Sequence, residues 1–392
     1  MRAFPRTIAG ASRVSRLIAA LLPLLWLGAC VAQPLKPAPI AAPVVAAPVR
    51  HVFVIVLENE PYPVTFGRHS LAPYLAHELP RQGALLPHYY GIGHYSLDNY
   101  IAMISGQAPN PATQMDCAFY SEFKRSMPGL DAHGQALGSG CIYPADVKTL
   151  ADQLDAAGFS WKGYMEDMGA DPAREAGTCG HVAIGAEDYT RHASAKDQYA
   201  AKHDPFVYFH SIIDAPARCA QHVVNLDQLT HDLQRVDSTP NFAFITPDLC
   251  HDGHDAPCAD GERGGLPSAD AFLRQWVPRI LAAPAFRQDG LLVITFDEGT
   301  DASACCGERG LAGGPRPGQF GPGGGRTGAV LLSPFITPGT VSRKPYNHYS
   351  LLRTIEDFFG VGHLGYAGAP GLRTFGMDVF SAAPTPPQRG TR

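Results

Sequence analysis

The sequence predicts an α/β protein with a mainly parallel central sheet, and three apolar stretches support this prediction. Residues 51–60 begin with a run of six apolar residues after His51, four of which are Val or Ile, as expected of a strand buried on both faces. Residues 291–299 have the same form, and residues 242–248 are a weaker copy. Each stretch ends in side chains that carry oxygen. Because ligands bind beyond the carboxyl ends of parallel strands, we expect one polar site at one edge of the sheet.

The N-terminus is typical of a bacterial export signal. Four Arg precede an apolar run over residues 17–27, which is shorter than a membrane-spanning helix. The run ends in Leu-Gly-Ala-Cys30, the pattern of a lipobox, in which the cysteine is lipidated. The sequence therefore predicts a lipoprotein signal peptide over residues 1–29 and lipidation at Cys30. An ordinary signal peptide with an incidental cysteine is the alternative.

The remaining chain divides by composition. Residues 30–50 are rich in Ala and Pro with few charges, so we expect a tether that builds no core. Residues 51–380 are expected to form one large α/β domain, and residues 381–392 a disordered tail. Removing residues 1–29 removes four Arg and no acidic residue, which takes the formal net charge from −5 to −9. This charge argues against nucleic acid as a partner.

Besides Cys30 the chain has eight cysteines, and an even number in an exported protein indicates disulfides. Their spacing fits no zinc-finger pattern. The sequence leaves the pairing open, although Cys250 with Cys258 would close a short loop.

In the first half of the domain, residues 71–82 have helical spacing. A second helix is predicted around residues 101–104, with Gly106 as its stop and Ser96 near its start. Free N–H groups and the macrodipole at a helix N-terminus favour an anion, so Ser96 is suited to accept a phosphoryl group. The alternative is a Ser N-cap without chemistry. Residues 117–141 are interpreted as a surface excursion held by a disulfide.

Further along, residues 147–157 form an amphipathic helix ending at Gly158, and residues 159–165 an alternating strand. Residues 199–213 are rich in aromatic residues and His and are suited to walling a pocket. Within that segment His203 and His210 are interpreted as packing or surface residues rather than ligands.

The densest polar cluster covers residues 248–255, with five ionisable side chains in eight residues after a predicted strand. Carboxylates about 4 Å apart repel by roughly 4 kcal/mol at an effective dielectric near 20. A divalent cation or a protonated His relieves this repulsion, and so does a solvated loop, so both interpretations stay open.

In the last part of the domain, residues 272–281 are a predicted helix and a strand begins at Val330. The Gly- and Pro-rich residues 299–328 are a loop that lacks the strand and spacing of a dinucleotide fingerprint. His348 precedes a helix with an apolar stripe, where a His is either a cap neighbour or a ligand.

The candidate site residues come from five separated segments: Glu58, Asn59, Ser96, Asp252, His254, Asp297, Glu298 and His348. Oxygen ligands suit a hard cation, and His with carboxylates suits zinc or manganese. Metal-assisted phosphoryl transfer needs an oxygen nucleophile beside a Lewis acid, and these residues supply both. The sequence therefore predicts a divalent metal ion, which is Mg, Mn, Ca or Zn.

Six short motifs occur in order along the chain: Val-Leu-Glu58-Asn59, His94-x-Ser96-x-x-Asn99-Tyr100, Lys162-Gly-Tyr-x-Glu166-Asp167, Leu-Cys250-x-Asp252-x-His254-Asp255, Thr-Phe-Asp297-Glu298 and Asn347-His348-Tyr-Ser-Leu-Leu-Arg. With these motifs the chain resembles the bacterial phosphoesterase family of acid phosphatases and phospholipase C enzymes, within the alkaline-phosphatase-like superfamily. Residues 199–206 are similar to a segment of its secreted acid phosphatases, which include phosphatidylinositol-3-phosphatase-type members.

The resemblance implies a three-layer sandwich and a role for each matching residue. It implies that the metal ligands are Glu58, Asn59, Ser96, Asp297 and Glu298. Ser96 would also be the nucleophile that forms a phosphoseryl intermediate. Asp252, His254 and His348 would act in catalysis, and Asp248, Asp252 and His348 would form a second metal position. The implied substrate-binding residues are Asn59, His94, Asn99, His254 and His348. The chain departs from the family at Tyr95 and Asp98, where Pro is common, and at Asp248, where Asn is common.

The resulting functional prediction is an exported, membrane-tethered acid phosphatase that acts on phosphoinositides or other small phosphomonoesters. We expect lipid anchoring to the bacterial outer membrane or a periplasmic or surface location, with no obligate protein partner. A phospholipase C-type phosphodiesterase and a non-catalytic surface lipoprotein are the alternatives. We expect none of the extra C-terminal domains of many phospholipase C members, which favours the monoesterase. The sulfatase modification motif is absent around Ser96.

Overall fold

The computed structural model describes residues 48–381. Twelve strands lie within these residues: β1 His51–Leu57, β2 Ala84–Leu86, β3 Tyr89–Tyr90, β4 Lys124–Arg125, β5 Gly138–Ser139, β6 Trp161–Met165, β7 Val223–Asn225, β8 Phe242–Thr246, β9 Gly290–Phe296, β10 Ala329–Leu332, β11 Thr340–Val341 and β12 Tyr346–Asn347.

The α-helices of the same part of the chain are α1 Tyr62–Thr65, α2 Leu79–Gln82, α3 Ser96–Ser105, α4 Leu150–Ala157, α5 His210–Ile213, α6 Pro216–His222, α7 Gln228–Asp232, α8 Gly265–Ala282, α9 Pro284–Asp289 and α10 His348–Phe359. Short 3₁₀ turns occur between them, of which Tyr189–Arg191 and Ala201–His203 border the site.

The central sheet has eight strands in the order β11-β2-β10-β9-β1-β8-β6-β7. Strand β1 pairs in parallel with both β8 and β9, and β10 runs antiparallel to its two neighbours. The predicted mainly parallel sheet is therefore confirmed. Leu57 pairs with Phe296, so the residues that follow β1 and β9 leave the sheet side by side.

Two hydrophobic cores cover the two faces of the sheet. Alternate side chains of β1 point to opposite sides, so Val54 packs with α3, α4 and α10 while Ile55 packs with α8. Both faces of β1 are therefore buried, which is why its sequence is continuously apolar. This arrangement is the expected three-layer sandwich.

The predicted helix boundaries shift where local chemistry decides them. Helix α4 begins at Leu150 because Thr149 is its N-cap and forms a capping box with Asp152. Helical structure is present within residues 71–82 as predicted, but as a π-helical segment over Tyr74–Glu78 that continues into α2, where Pro80 lacks the N–H that a regular α-helix would use. Helix α8 begins at Gly265, seven residues before its predicted start, because Pro267 is tolerated in a first turn.

All eight cysteines of the described residues pair, as expected: Cys117–Cys141, Cys179–Cys219, Cys250–Cys258 and Cys305–Cys306. None of the helices in residues 48–381 is long and apolar enough to cross a membrane. The predicted signal peptide, Cys30, most of the tether and residues 382–392 lie outside the described residues. Val49 is already buried in the core.

Candidate active site

The loops after β1, β8 and β9 meet at one edge of the sheet. The backbone N–H of Glu58, after β1, donates to the Asp252 carbonyl at 2.8 Å, and that of Asp297, after β9, donates to the Leu57 carbonyl at 2.8 Å. The Asp297 carboxylate in turn accepts from the backbone N–H groups of Asn59 at 2.9 Å and Glu298 at 2.6 Å. The predicted convergence of strand ends is therefore present.

Ser96 is the first residue of α3 and is almost completely buried. Its hydroxyl donates to Oε2 of Glu58 at 2.7 Å, and the hydroxyl of Tyr100 donates to Oε1 of Glu58 at 2.9 Å. The side-chain amide of Asn59 donates to the same Oε2 atom at 2.9 Å. Glu58 thus connects the end of β1 to the start of α3.

Two residues that flank these groups have strained backbones. Asn59 has φ +62° and Tyr95 has φ +67°, a region that non-glycine residues rarely adopt. Proline fixes φ near about −65°, so the Pro common in relatives of this family would not fit the conformation seen at Tyr95. The other departure, Asp98, is buried against Gly93, and burial together with nearby Glu298 raises its carboxyl pKa well above the usual value.

The turn Ala201–His203 brings two further residues to Ser96. The Lys202 ammonium lies 3.4 Å from the Ser96 hydroxyl and 3.3 Å from the Asp116 carboxylate. The His203 ring stacks on Tyr100 and places Nε2 at 3.3 Å from Glu58. His203 is thus a buried packing residue, as interpreted from the sequence, and its Nε2 also lies close to the Glu58 carboxylate. In the sequence, only the similarity of residues 199–206 to acid phosphatases pointed to a functional role for Lys202 and His203.

The geometry and charge of this group fit a divalent cation. Glu58, His203 and Asp252 are all buried, and each offers a donor atom within 4.8 Å of the others. Among the described residues, one carboxylate oxygen of Asp252, one of Asp297 and both ring nitrogens of His203 have no hydrogen-bond partner. Unpartnered buried polar atoms are costly, and a cation coordinated by them removes that cost.

The pKa values of the same carboxyl groups show the electrostatic cost of leaving them without a cation. Burial raises the pKa of Glu58 to about 8, although Lys202 opposes the effect. Burial also raises the pKa of Asp297 and Asp252 well above the usual range, and for Asp297 the nearby Glu58 adds to the shift. A bound cation would favour the ionised forms of all three.

Asp248 does not join this group. Its carboxylate accepts from the backbone N–H groups of Cys250 at 2.9 Å and His251 at 2.8 Å, so it caps the turn after β8. The His251 ring lies 3.3 Å from Asp248 and 3.1 Å from Glu166, so an ion pair offsets the repulsion between these acids. Asp248 and His251 belong to a separate group of possible ligand atoms, and the role of Asp248 in a second metal position stays a prediction.

His348 lies at the site but turns both ring nitrogens to the protein. Nε2 is 2.6 Å from the backbone carbonyl of Asp297, and Nδ1 is 3.0 Å from the Tyr89 hydroxyl. Burial lowers the pKa of His348 to about 4, so the ring is neutral. Nε2–H then donates to Asp297 and Nδ1 accepts from Tyr89. These contacts hold the His348 ring in place, and its predicted catalytic, phosphate-binding and metal-binding roles stay predictions.

The Asn99 side chain holds the loop before α3, and its predicted substrate-binding role stays a prediction. Its Oδ1 accepts from the backbone N–H groups of Ile92 at 2.7 Å and Gly93 at 3.0 Å, and its amide donates to two carbonyls of the same loop. Every hydrogen-bonding group of the side chain is therefore used in holding the loop that enters α3.

His94 is partly exposed with both ring nitrogens engaged by the protein, whereas His254 is open to the cleft. His94 forms an ion pair with Glu298, and its Nε2 is 2.9 Å from the Asp301 carbonyl. Burial lowers the pKa of His94, but Glu298 more than offsets this effect, and the pKa is raised. His254 is half-exposed and shares a cleft of about 420 Å³ with Lys202. Burial and Lys202 lower its pKa.

The model of the Phosphoesterase family matches residues 71–362, and the chain belongs to that family. A probable acid phosphatase from Kluyveromyces lactis is 25% identical over 84% of this chain and 62% of its own length. A phosphate-repressible acid phosphatase from Penicillium chrysogenum is 26% identical over 74% of this chain and 55% of its own length. The chain thus spans about half to three fifths of these two relatives.

A phosphatidylinositol-3-phosphatase from Mycobacterium tuberculosis is 24% identical, over 81% of this chain and 79% of its own length. Since fungal proteins are among the relatives, the bacterial label given to the family from the sequence is not confirmed. A solved structure described as a protein in the alkaline phosphatase superfamily, from Vibrio parahaemolyticus, is similar over 81% of this chain and 68% of that chain. The TM-score is 0.46 and the sequence identity 12%.

Proposed function

We propose that the protein is an exported, metal-dependent phosphomonoesterase of the acid phosphatase type, with Ser96 as nucleophile and a phosphoseryl intermediate. One observation carries this proposal. The Ser96 hydroxyl, at the N-terminus of α3, lies 2.7 Å from the Glu58 carboxylate and 3.4 Å from the Lys202 ammonium. The names of the fungal and mycobacterial relatives support phosphate monoesters as the substrate class.

The surroundings of Ser96 suit an activated nucleophile. Its hydroxyl hydrogen points to Glu58, the nearest base for the proton that leaves when the oxygen attacks phosphorus. The pairing with Asp116 outweighs the effect of burial and keeps the Lys202 charge next to the reacting oxygen. A positive charge at this distance favours the alkoxide and stabilises the negative charge of the transferring phosphoryl group.

Glu58, Asp297, Asp252 and His203, with Asn59 and Ser96, are the residues that would hold a divalent cation. Such a cation supplies Lewis-acid polarisation of the serine oxygen and of the phosphate. The nitrogen donor of His203 beside carboxylates is compatible with zinc or manganese as well as with the harder cations. Glu298 is buried and pairs with His94, so it is the less direct candidate ligand.

His254 is suited to assist the leaving group. The ring reaches the cleft beside Lys202, and its pKa is lowered, so the imidazolium form is populated only at acidic pH. A leaving oxygen that takes its proton from His254 would therefore leave faster below neutral pH. This dependence agrees with an acid phosphatase.

Hydrolysis of p-nitrophenyl phosphate and p-nitrophenylphosphorylcholine, with and without chelator from acidic to neutral pH, tests the proposal. We expect monoester cleavage that is lost with chelator and restored by a divalent metal. Preference for the diester would replace the proposal with a phospholipase C-type activity. Turnover of neither substrate by the folded, metal-loaded protein would favour a non-catalytic surface protein.

Asp297→Asn tests the metal centre itself, with Asp237→Asn as the matched control. We expect the first variant to lose bound metal, because it removes a buried carboxylate charge from the candidate cation site. The control changes an exposed acid that pairs with Arg235 on the surface. Equal metal content in both variants would contradict the assignment.

The proposed membrane tether has a separate test. Cys30→Ser should shift the exported protein from the membrane fraction to the soluble fraction, because lipidation requires the cysteine thiol and the acyl chains supply the anchoring. Unchanged fractionation would argue for an ordinary signal peptide.

A further inference from the structure

The cleft beside Ser96 has a predominantly basic lining, although the chain as a whole is acidic. Its volume of about 420 Å³ lies within the range of roughly 300–1,000 Å³ that small-molecule sites occupy. Arg191, His192, Lys202 and His254 line it, and Asp255 is the acidic residue in the same lining. Lys202 belongs to this lining and its ammonium is 3.4 Å from the Ser96 hydroxyl, so the cleft reaches a direct neighbour of the proposed nucleophile.

Among the described residues, Arg191 is the arginine of this lining, and it has no ion-pair contact, although its charge opposes the burial that raises the pKa of the Asp188 carboxyl. Among residues 48–381 its guanidinium forms no ion pair within 4.0 Å, and its buried Nε donates no hydrogen bond. Lys202, in contrast, is paired with Asp116. The buried donor of Arg191 costs free energy unless a ligand accepts from it.

The segment that carries Arg191 is held firmly against the site. The Thr190 hydroxyl accepts from the backbone N–H of Ala201 at 2.9 Å, which ties this segment to the residue before Lys202. Thr190 is anchored in turn by Asp188, whose carboxylate accepts from its hydroxyl at 2.7 Å. Arg174 donates to the His192 carbonyl at 3.0 Å and pairs with Asp197. The unpaired guanidinium is thus presented by a preorganised turn.

We propose that Arg191, with His192, forms a leaving-group subsite that selects phosphomonoesters carrying a second anionic group, a phosphate above all. The proposal rests on the proposed function, since the cleft receives the leaving group only if Ser96 attacks the first phosphate. A guanidinium donates two parallel hydrogen bonds to phosphate, which a neutral leaving group cannot accept. A bisphosphorylated polyol and a phosphoinositide headgroup share this chemistry.

The test compares kcat/KM for inositol 1,3-bisphosphate with kcat/KM for inositol 3-phosphate. We expect the ratio of the two values to fall about tenfold in Arg191→Gln, equivalent to about 1.4 kcal/mol of transition-state binding. Arg191→Lys should keep part of the preference because it keeps the charge. The preference should also weaken as ionic strength rises.

Arg235→Gln is the matched control, because Arg235 is an exposed arginine that is paired with Asp237 and does not line the cleft. In Arg235→Gln the ratio of kcat/KM for the bisphosphate to kcat/KM for the monophosphate should equal that of the wild type. An unchanged ratio in Arg191→Gln, with both substrates still hydrolysed, would overturn the subsite.

A third substrate separates the two sources of the second anion. A short-chain, monomeric phosphatidylinositol 3-phosphate carries a phosphodiester in place of the second phosphate. If Arg191→Gln loses kcat/KM with this lipid as it does with the bisphosphate, a phosphoinositide headgroup is supported as the substrate. A loss with the bisphosphate alone supports the subsite for soluble substrates.

Failure of the proposed function gives a different result from failure of the subsite. If the metal-loaded wild type hydrolyses none of these esters, the proposed function is wrong, and the subsite is then judged by calorimetric binding of inositol 1,3-bisphosphate. Weaker binding to Arg191→Gln than to Arg235→Gln supports the subsite, and equal binding overturns it.

Discussion

Lys202 contacts both the proposed nucleophile and a buried carboxylate, and it therefore contributes to activity and to stability. Its pKa is raised, because the nearby carboxylates Asp116 and Glu58 outweigh the burial that would lower it, so the ammonium stays charged. Charge stabilisation by one preorganised donor is worth roughly 10²–10³ in kcat. Lys202→Met should therefore lower kcat by about that factor.

The same substitution should also reduce stability by about 3 kcal/mol, because it leaves Asp116 buried without its partner. The double variant Lys202→Met with Asp116→Asn separates the two effects. It should recover most of the free energy of unfolding, measured by denaturant titration, while kcat stays low. Recovery of kcat together with stability would mean that Lys202 is only structural.

Residue by residue, the sequence was most informative where a side chain directly follows a buried strand. Glu58 and Asp297 lie together because parallel strands end at one edge, and that rule needs no tertiary detail. Lys202 and His203 lie on a short 3₁₀ turn without periodicity, and Lys202 reaches Ser96 across 106 residues of sequence while His203 reaches Glu58. Their role depends on tertiary contacts that no local pattern contains.

Ligand-type residues also have structural uses that the sequence does not distinguish. Asp248 caps a turn, Asn99 holds a loop, and His348 donates to a backbone carbonyl. Each is a correct residue type at a predicted location, but its polar atoms face the protein. Only the positions of the neighbouring backbone groups determine which use applies.

Among the helices, α3 depends on a sharp stop at Gly106. Gly106 has φ +67°, and a Cβ there would lie 2.2 Å from the Leu364 carbonyl oxygen. Gly106→Ala should therefore lower the free energy of unfolding by about 3 kcal/mol, from backbone strain and from the steric clash.

Gly158→Ala is the matched control, because Gly158 also ends a helix with φ +79°, but a Cβ added there would have no atom within 4 Å. It should cost about 1 kcal/mol, from strain alone. Denaturant titration of the two variants measures the difference, and equal losses would contradict the role assigned to the Leu364 contact.

Helix α10 contains a buried acid that makes stability depend on pH. Burial raises the pKa of Glu356 to about 9, and one of its oxygens accepts from the Leu364 N–H at 2.8 Å. In the unfolded chain the pKa of this carboxyl is near its ordinary value of 4.5, so the folded protein holds one more proton than the unfolded chain between these two values. The contribution of Glu356 to stability is therefore lost as pH rises through that window.

Glu356→Gln should remove this dependence and stabilise the protein by up to about 3 kcal/mol at pH 7. The difference in free energy of unfolding between variant and wild type should grow from about pH 5 to about pH 8. Asp357→Asn, at the exposed neighbouring position, is the control. A difference that does not change with pH would contradict the raised pKa.

At the scale of the whole molecule, the disulfides divide into stabilising and site-positioning crosslinks. Cys179–Cys219 spans 40 residues and Cys250–Cys258 spans 8. Loop entropy predicts losses of about 4 and about 2.5 kcal/mol when each pair is replaced by Ser. The Cys250–Cys258 crosslink closes the loop that carries Asp252 and His254. Its replacement should therefore reduce kcat/KM more than replacement of Cys179–Cys219, although it costs less stability.

Unfolding curves measure the stability lost in each of the two Ser-pair variants, and initial rates measure the activity lost. The same ranking in stability and activity would mean that the short crosslink has no specific effect on the site.

The overall architecture was predictable because continuous apolar strands and amphipathic helices specify a covered parallel sheet. The pairing of most cysteines was not, since spacing alone does not determine which chain segments meet. The proposed role of Arg191 was not predictable either. It depends on a buried Nε that has no hydrogen-bond partner among the described residues, and only the folded chain shows this.

Chemical trapping of the phosphorylated enzyme tests the central claim most directly. The metal-loaded protein is mixed with p-nitrophenyl phosphate, quenched in acid during turnover, digested and analysed by mass spectrometry. We predict a phosphate on the peptide that contains Ser96, and neither the phosphate nor turnover in Ser96→Ala of equal fold and metal content. Near-wild-type turnover by Ser96→Ala, or phosphate trapped on another residue, would contradict the assignment of Ser96 as the nucleophile.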